Sequence, residues 1–393
     1  MVETTIPLAS KPRFEILDGL RGVAAMIVVI FHLFETYSPG PSEQIINHGY
    51  LAVDFFFVLS GFVIGYAYDD RWGAMSTWDF FKRRLIRLQP MVILGTLIGA
   101  FWFYFGAAPG FELVMQTPWW KLLLIMVLGC IMFPTPPSMD IRGWKEINSL
   151  NGAQWSLLWE YIANILYALF VRKFTTVVLA VFVFLSAFLT IDLAMDIDAF
   201  GLLEARSYAR YTVIGGFGLT PDQIYIGISR LLYPFFGGLL LYRMSKWRIN
   251  LRRGCMTLCS LAVAVTLAVP HVGGENYEWL NGLYCVVVIL FVYPAIVAAG
   301  AGSELKGTKT IAVCKFLGTI SYPLYITHYP MIYVHMNWVA RHADAPVGTH
   351  IWVAVSIFLA SIAVAYASVK VYDIPVREWL SEKFIRSKKR LRG

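Results

Sequence analysis

Charge is what this chain has least of. Only 15% of its 393 residues are Asp, Glu, Lys or Arg, against about 25% in an average soluble domain. With 58% hydrophobic residues, that scarcity excludes a water-soluble domain filling this length. Cysteine is sparse as well. The five cysteines include no CxxC pair, which excludes a disulfide framework and a cysteine-built metal site. His, Asp and Glu show no metal-ligand spacing either, so no metal is expected. The apolar–polar alternation of a membrane β-barrel is missing. No internal repeat is visible, which disfavours an inverted-repeat transporter.

Long apolar runs are present instead. They begin at Ile16, Leu51, Met91, Phe174, Ile224, Met256, Leu280, Phe316 and Ile351, and a span needs roughly 20 apolar residues. The first run, to Tyr37, contains Arg21 and His32 and no small-residue cleavage site follows it, so it reads as an uncleaved span. Spans are expected near 16–37, 51–68, 88–105, 154–171, 174–194, 224–242, 255–270, 279–300, 316–339 and 350–372. The stretch 119–133 holds only about 15 apolar residues, too few to span. With Trp119 and Trp120 at its start, it reads as a re-entrant or interfacial helix. The expected fold is an all-α polytopic bundle of about ten spans, one membrane domain over 1–393.

The net charge of +8 follows the loops. Lys11 and Arg13, Lys82 to Arg87, Arg172 and Lys173, Arg243 to Arg253, Lys306 to Lys315 and the tail KFIRSKKRLRG fall on one side. The positive-inside rule makes that side cytoplasmic. A short N-terminal segment (1–15) and a basic tail (374–393) are then both cytoplasmic. The charge therefore reports topology, and no nucleic-acid partner is expected.

Ionisable residues inside spans are costly and mark functional interiors. Here they are Arg21, His32, Asp54, Glu160, Arg230 and His328. Counting along helices at 1.5 Å per residue puts His32 about 16 Å beyond Arg21. The same counting puts His32, Asp54, Glu160, Arg230 and His328 at one depth. Arg21, Arg83, Arg84 and Arg87 gather at the opposite mouth. A basic mouth suits a polyanion, and a histidine with a carboxylate suits proton transfer. A transporter of a small anionic solute would also use ten spans and buried charge, but it explains the arginine cluster less well.

Six segments resemble the integral membrane acyltransferases of family 3. LDGLRGVAAMIVVIFH (Leu17–His32) looks like the family's first-span signature. VDFFFVLSGF (Val53–Phe62), RRLIRLQP (Arg83–Pro90), WSLLWE (Trp155–Glu160), RLLYPFFGG (Arg230–Gly238) and ISYPLYITHYP (Ile320–Pro330) resemble later motifs in order. The resemblance covers nearly the whole chain. It implies an acyl-CoA-dependent O-acetyltransferase in a bacterial inner or plasma membrane. The implied donor is acetyl-CoA or another acyl-CoA entering from the cytoplasm, and the implied acceptor is a cell-surface or lipid-linked carbohydrate. His32 matches the family's essential histidine; Arg21, Arg84 and Arg87 match its basic positions, with Arg83 beside them. Asp54 or Glu160 would orient the imidazole in a triad-like arrangement. Arg230, Ser321, Tyr325 and His328 are the candidate substrate contacts. Direct transfer and an acyl-enzyme on Ser60 or Ser321 both remain open. Some members carry an additional soluble domain after the membrane part; none is expected here.

Overall fold

The computed structural model describes residues 11–244, 249, 255–274 and 276–386. Lys246, Arg248, Arg252, Arg253, residues 1–10 and the end of the basic tail from 387 lie outside the described residues. Every regular element among the described residues is helical. The main helices are α1 (Glu15–Glu35), α2 (Ala52–Tyr68), α3 (Thr77–Phe101), α4 (Trp119–Cys130), α5 (Trp155–Leu169), α6 (Thr176–Ala194), α7 (Pro221–Arg243), α8 (Cys255–Ala268), α9 (Trp279–Gly302), α10 (Thr308–Arg341) and α11 (Val347–Ile385).

Local chemistry starts these helices where they start. Glu15 and Asp18 sit in the first turn of α1, where carboxylates favour the helix dipole. Ser76 caps α3 by accepting from the Asp79 backbone N–H at 3.1 Å, and Thr175 caps α6 through the Val178 N–H at 3.2 Å. Pro221 opens α7, where its missing N–H costs nothing.

Among the described residues, seven helices are long and apolar enough to cross a membrane: α1, α2 with its preceding turn (His48–Tyr68), α3, α6, α7, α9 and α11. Three expected spans differ. Helix α5 has 15 residues and α8 has 14, so each is about 22 Å long or less, short of a hydrocarbon core of about 30 Å. Helix α10 is long, at 34 residues, but Ser, Thr, Tyr and His dilute its apolar content. Those side chains are buried in protein: Ser321, Thr327, His328 and His335 have almost no exposure. The 12 residues of α4 cover about 18 Å, too little to span. At the other extreme α11 runs for 39 residues, so the segment expected as a tail from 374 continues as helix.

Two helix pairs carry the centre of the bundle, α1 against α10 and α2 against α7. The second pair touches backbone to backbone. A Cβ on Gly61 would fall 1.7 Å from the Phe235 carbonyl oxygen, and one on Gly238 would fall 2.1 Å from that of Val58. Membrane helices pack this closely through small residues because lipid gives them no hydrophobic drive to associate. Gly237, one residue away, has nothing nearer than 3.8 Å to an added Cβ. Thermal unfolding in detergent should therefore separate two alanine variants. Gly61→Ala should lose about 1–3 kcal/mol or more from overpacking. Gly237→Ala should be neutral or slightly stabilising through helix propensity. Equal melting points would refute the tight crossing.

Candidate active site

His32 lies in the last turn of α1. Its Nδ1 meets Glu35 Oε2 at 2.7 Å, an i,i+3 pair on one face of the helix. A carboxylate on Nδ1 fixes the tautomer with hydrogen there and leaves the lone pair on Nε2. Two rings of α10 pack on the imidazole: Tyr329 edge-on at 4.7 Å and His328 stacked at 5.5 Å. His328 turns its Nδ1 to the Leu324 and Tyr325 carbonyls, and its buried Nε2 has no hydrogen-bond partner among the described residues. His32 opens onto a cavity of about 740 Å³ whose lining includes Glu35, Glu146, Arg230, Tyr325 and Tyr329.

The carboxylate on His32 is thus Glu35, and neither Asp54 nor Glu160 reaches the imidazole. Asp54, fully buried, accepts from Arg230 Nη2 at 2.7 Å and Nε at 3.3 Å. Arg230 also donates to the Tyr50 and Gly215 carbonyls and faces the Trp155 ring at 5.0 Å. Glu160 accepts from Arg84 Nη2 at 2.7 Å and from Ser60 Oγ at 3.3 Å. It lines the basic cavity and not the His32 cavity. The single depth expected for these groups therefore fails at Glu160.

The basic cavity, of about 1010 Å³, collects Arg21, Arg83, Arg84 and Arg87 from α1 and α3, with Lys11, Arg13, Arg71, Lys315 and Arg377 around them. Arg21 makes one long contact, 3.4 Å to Asp18. Among the described residues neither Arg83 nor Arg87 makes a hydrogen bond or ion pair with protein, and Arg87 is exposed within the cavity. Ser321 is on the same wall, its hydroxyl donating to the Gly318 carbonyl at 3.0 Å. The two cavities share Val53 and Tyr325 in their linings. There the Tyr325 hydroxyl meets Ser156 Oγ at 2.7 Å. An arginine-lined chamber and a histidine–carboxylate chamber thus abut at one residue layer.

Residues 14–370 match the acyltransferase domain family. The chain belongs to the family-3 acyltransferases. The relatives of this acyltransferase include Protein 2 in the picA locus of Rhizobium radiobacter, 33% identical over 43% of this chain and 90% of that one. O-acetyltransferase OatA of Staphylococcus aureus is 24% identical over 92% of this chain and 57% of its own length. Peptidoglycan O-acetyltransferase OatA of Listeria monocytogenes is 22% identical over 92% of this chain and 55% of its own. The chain thus spans a little over half the length of those two O-acetyltransferases. No solved structure matches it.

Glu35 is one residue of this acyltransferase that sequence reasoning missed. The signal was available, since a residue three positions after His32 on a helix shares its face. Arg230 and Asp54 form a buried ion pair, and removing one partner leaves the other charge stranded. Asp54→Ala alone should cost about 3–5 kcal/mol, and the double change Asp54→Leu with Arg230→Met should recover much of that loss. Melting temperatures of the purified variants test this; equal losses in single and double variants would show that the pair is no energetic unit.

Proposed function

We propose that the protein moves an acyl group, acetyl in the first instance, from acyl-CoA to a hydroxyl of a cell-surface or lipid-linked carbohydrate. The carrying observation is the junction at Val53 and Tyr325 between a cationic chamber and the His32 chamber. Guanidinium groups bind phosphate oxygens through paired, charge-assisted hydrogen bonds. Arg83 and Arg87, uncommitted to protein, would take the phosphates of CoA, with Arg21 and Arg84 beside them. The positive-inside rule supports a cytoplasmic position for this chamber, where acyl-CoA is found, in a bacterial inner or plasma membrane. The names of the Staphylococcus and Listeria relatives support acetyl as the group and a cell-wall saccharide as the kind of acceptor.

The chemistry follows from His32. Its Nε2 would take the proton of the acceptor hydroxyl as that oxygen attacks the thioester carbonyl carbon. A C–O bond forms, the C–S bond breaks, and the imidazolium returns its proton to the leaving thiolate. Glu35 would hold the ring and stabilise its charged form, as the buried carboxylate does in a catalytic triad. Tyr325, at the junction, would contact the thioester. Ser321 would line the donor path, and Arg230 and His328 would shape the acceptor chamber. Asp54 and Glu160 would act through the arginines they hold. Direct transfer is favoured over an acyl-enzyme, because Ser60 and Ser321 both face the basic cavity and are engaged by Glu160 and the Gly318 carbonyl.

Purified wild type should bind acetyl-CoA and release free CoA when given saccharide acceptors. His32→Ala should keep donor binding while turnover falls about 10²–10⁴-fold, the usual share of a general base. Glu35→Gln should lower turnover in the same direction with donor affinity kept. Arg87→Ala should instead weaken acetyl-CoA binding about tenfold or more, as loss of a charged hydrogen bond does. A wild type that neither binds nor consumes acyl-CoA would overturn this reading.

A further inference from the structure

The segment between α4 and α5 folds into the protein and closes one wall of the His32 cavity. Glu146 stands in that wall with only 7% of its surface exposed. Tyr333 donates to its Oε2 at 3.0 Å, while Oε1 has no hydrogen-bond partner among the described residues. Gly152 keeps the space in front of Oε1 open: a Cβ there would come within 2.9 Å of that oxygen. The wall is continuous with the base. Tyr329 packs on His32 at 4.7 Å, Tyr333 packs on Tyr329 at 4.9 Å, and Tyr333 holds Glu146.

The charge in this cavity is one-sided. Its lining holds the Glu35 and Glu146 carboxylates, and Arg230 is its only Lys or Arg among the described residues. The guanidinium of Arg230 is already committed to Asp54 and two carbonyls. Arg142 lies behind the wall, its guanidinium 3.5 Å from the centre of the Tyr333 ring, and is not part of the lining. Burial pushes the Glu146 carboxyl up to about 7, with Arg142 acting against that rise. At neutral pH it can therefore both donate to and accept from a hydroxyl. Around it stand Phe111, Trp144, Trp155 and Tyr329, flat apolar faces of the kind that carry an amphipathic ligand between a few fixed polar groups.

We infer that Glu146 anchors the acceptor, hydrogen-bonding a second hydroxyl of the ring acylated at His32, and that this ring is an uncharged polyol and not an anionic sugar. The inference rests on the acyl-transfer reading above and narrows its acceptor. A carboxylate on the acceptor ring would meet Glu35 and a partly ionised Glu146 with no uncommitted Lys or Arg in the lining among the described residues, and like charges brought together without water are disfavoured.

The test compares a methyl hexoside with the corresponding methyl hexuronide, following CoA release from acetyl-CoA and measuring acetyl-CoA affinity separately. Wild type should prefer the neutral glycoside in kcat/KM by at least about tenfold. Glu146→Gln keeps the size and the bond from Tyr333 but removes the charge, and should shrink that preference severalfold. Tyr333→Phe should raise KM for the neutral glycoside more than it lowers kcat, which a merely structural role would not do. Equal use of the two sugars by wild type, or an unchanged preference in Glu146→Gln, would overturn the inference while leaving acyl transfer intact. Wild type that binds acetyl-CoA but acylates neither sugar overturns the inference by removing the carbohydrate acceptor itself. Wild type that binds no acetyl-CoA fails at the earlier reading instead.

Discussion

A buried charge must be answered, and in this protein Arg230 and Asp54 answer one another across the interface of α2 and α7. Both groups are buried, so neither can leave without stranding the other. The pair fixes the rotation of both helices, and the Gly61–Gly238 crossing fixes their distance. Arg230 then reaches beyond Asp54 to the Tyr50 and Gly215 carbonyls. In this way it pins the turn before α2 and the loop before α7, which form part of the His32 cavity. The position of that wall follows from one ion pair.

The two chambers differ in their balance of charge. The basic one gathers nine Lys and Arg side chains against six carboxylates, whereas Glu35, Glu146 and His32 line the other beside the committed Arg230. Only apolar or hydroxyl-bearing side chains, Val53 and Tyr325, stand at the shared layer. Separation matters because a free arginine beside Glu35 would compete with His32 for the carboxylate that orients it. Glu160 marks the limit of the basic end, neutralising Arg84 there.

Much of this was legible in the sequence. The apolar runs gave the helical class, and the rare ionisable residues within them are the ones that line or brace the two cavities. What misled was depth. Counting residues from a helix end assumes that every helix begins at the membrane surface, and α5 does not. The segment before it is buried, and Gln154 donates to the Val92 carbonyl at 2.9 Å, midway along α3. Trp155 therefore starts below the surface, and Glu160 is carried down to the arginines. Glu146 was out of reach for the same reason: a polar stretch between spans reads as a solvent loop, and nothing in its composition says that it folds inward. Spacing could have found Glu35; only the fold could find Glu146.

The glycine crossing has a mechanical meaning. Helices that leave no room for a methyl group between them have no room to slide, and an ion pair beside the crossing resists rotation. A carrier works by rocking one half of itself past the other. A bundle locked at its centre in this way resists such rocking, so that on the proposed reading the travelling would be left to the long, flexible arm of the acyl donor.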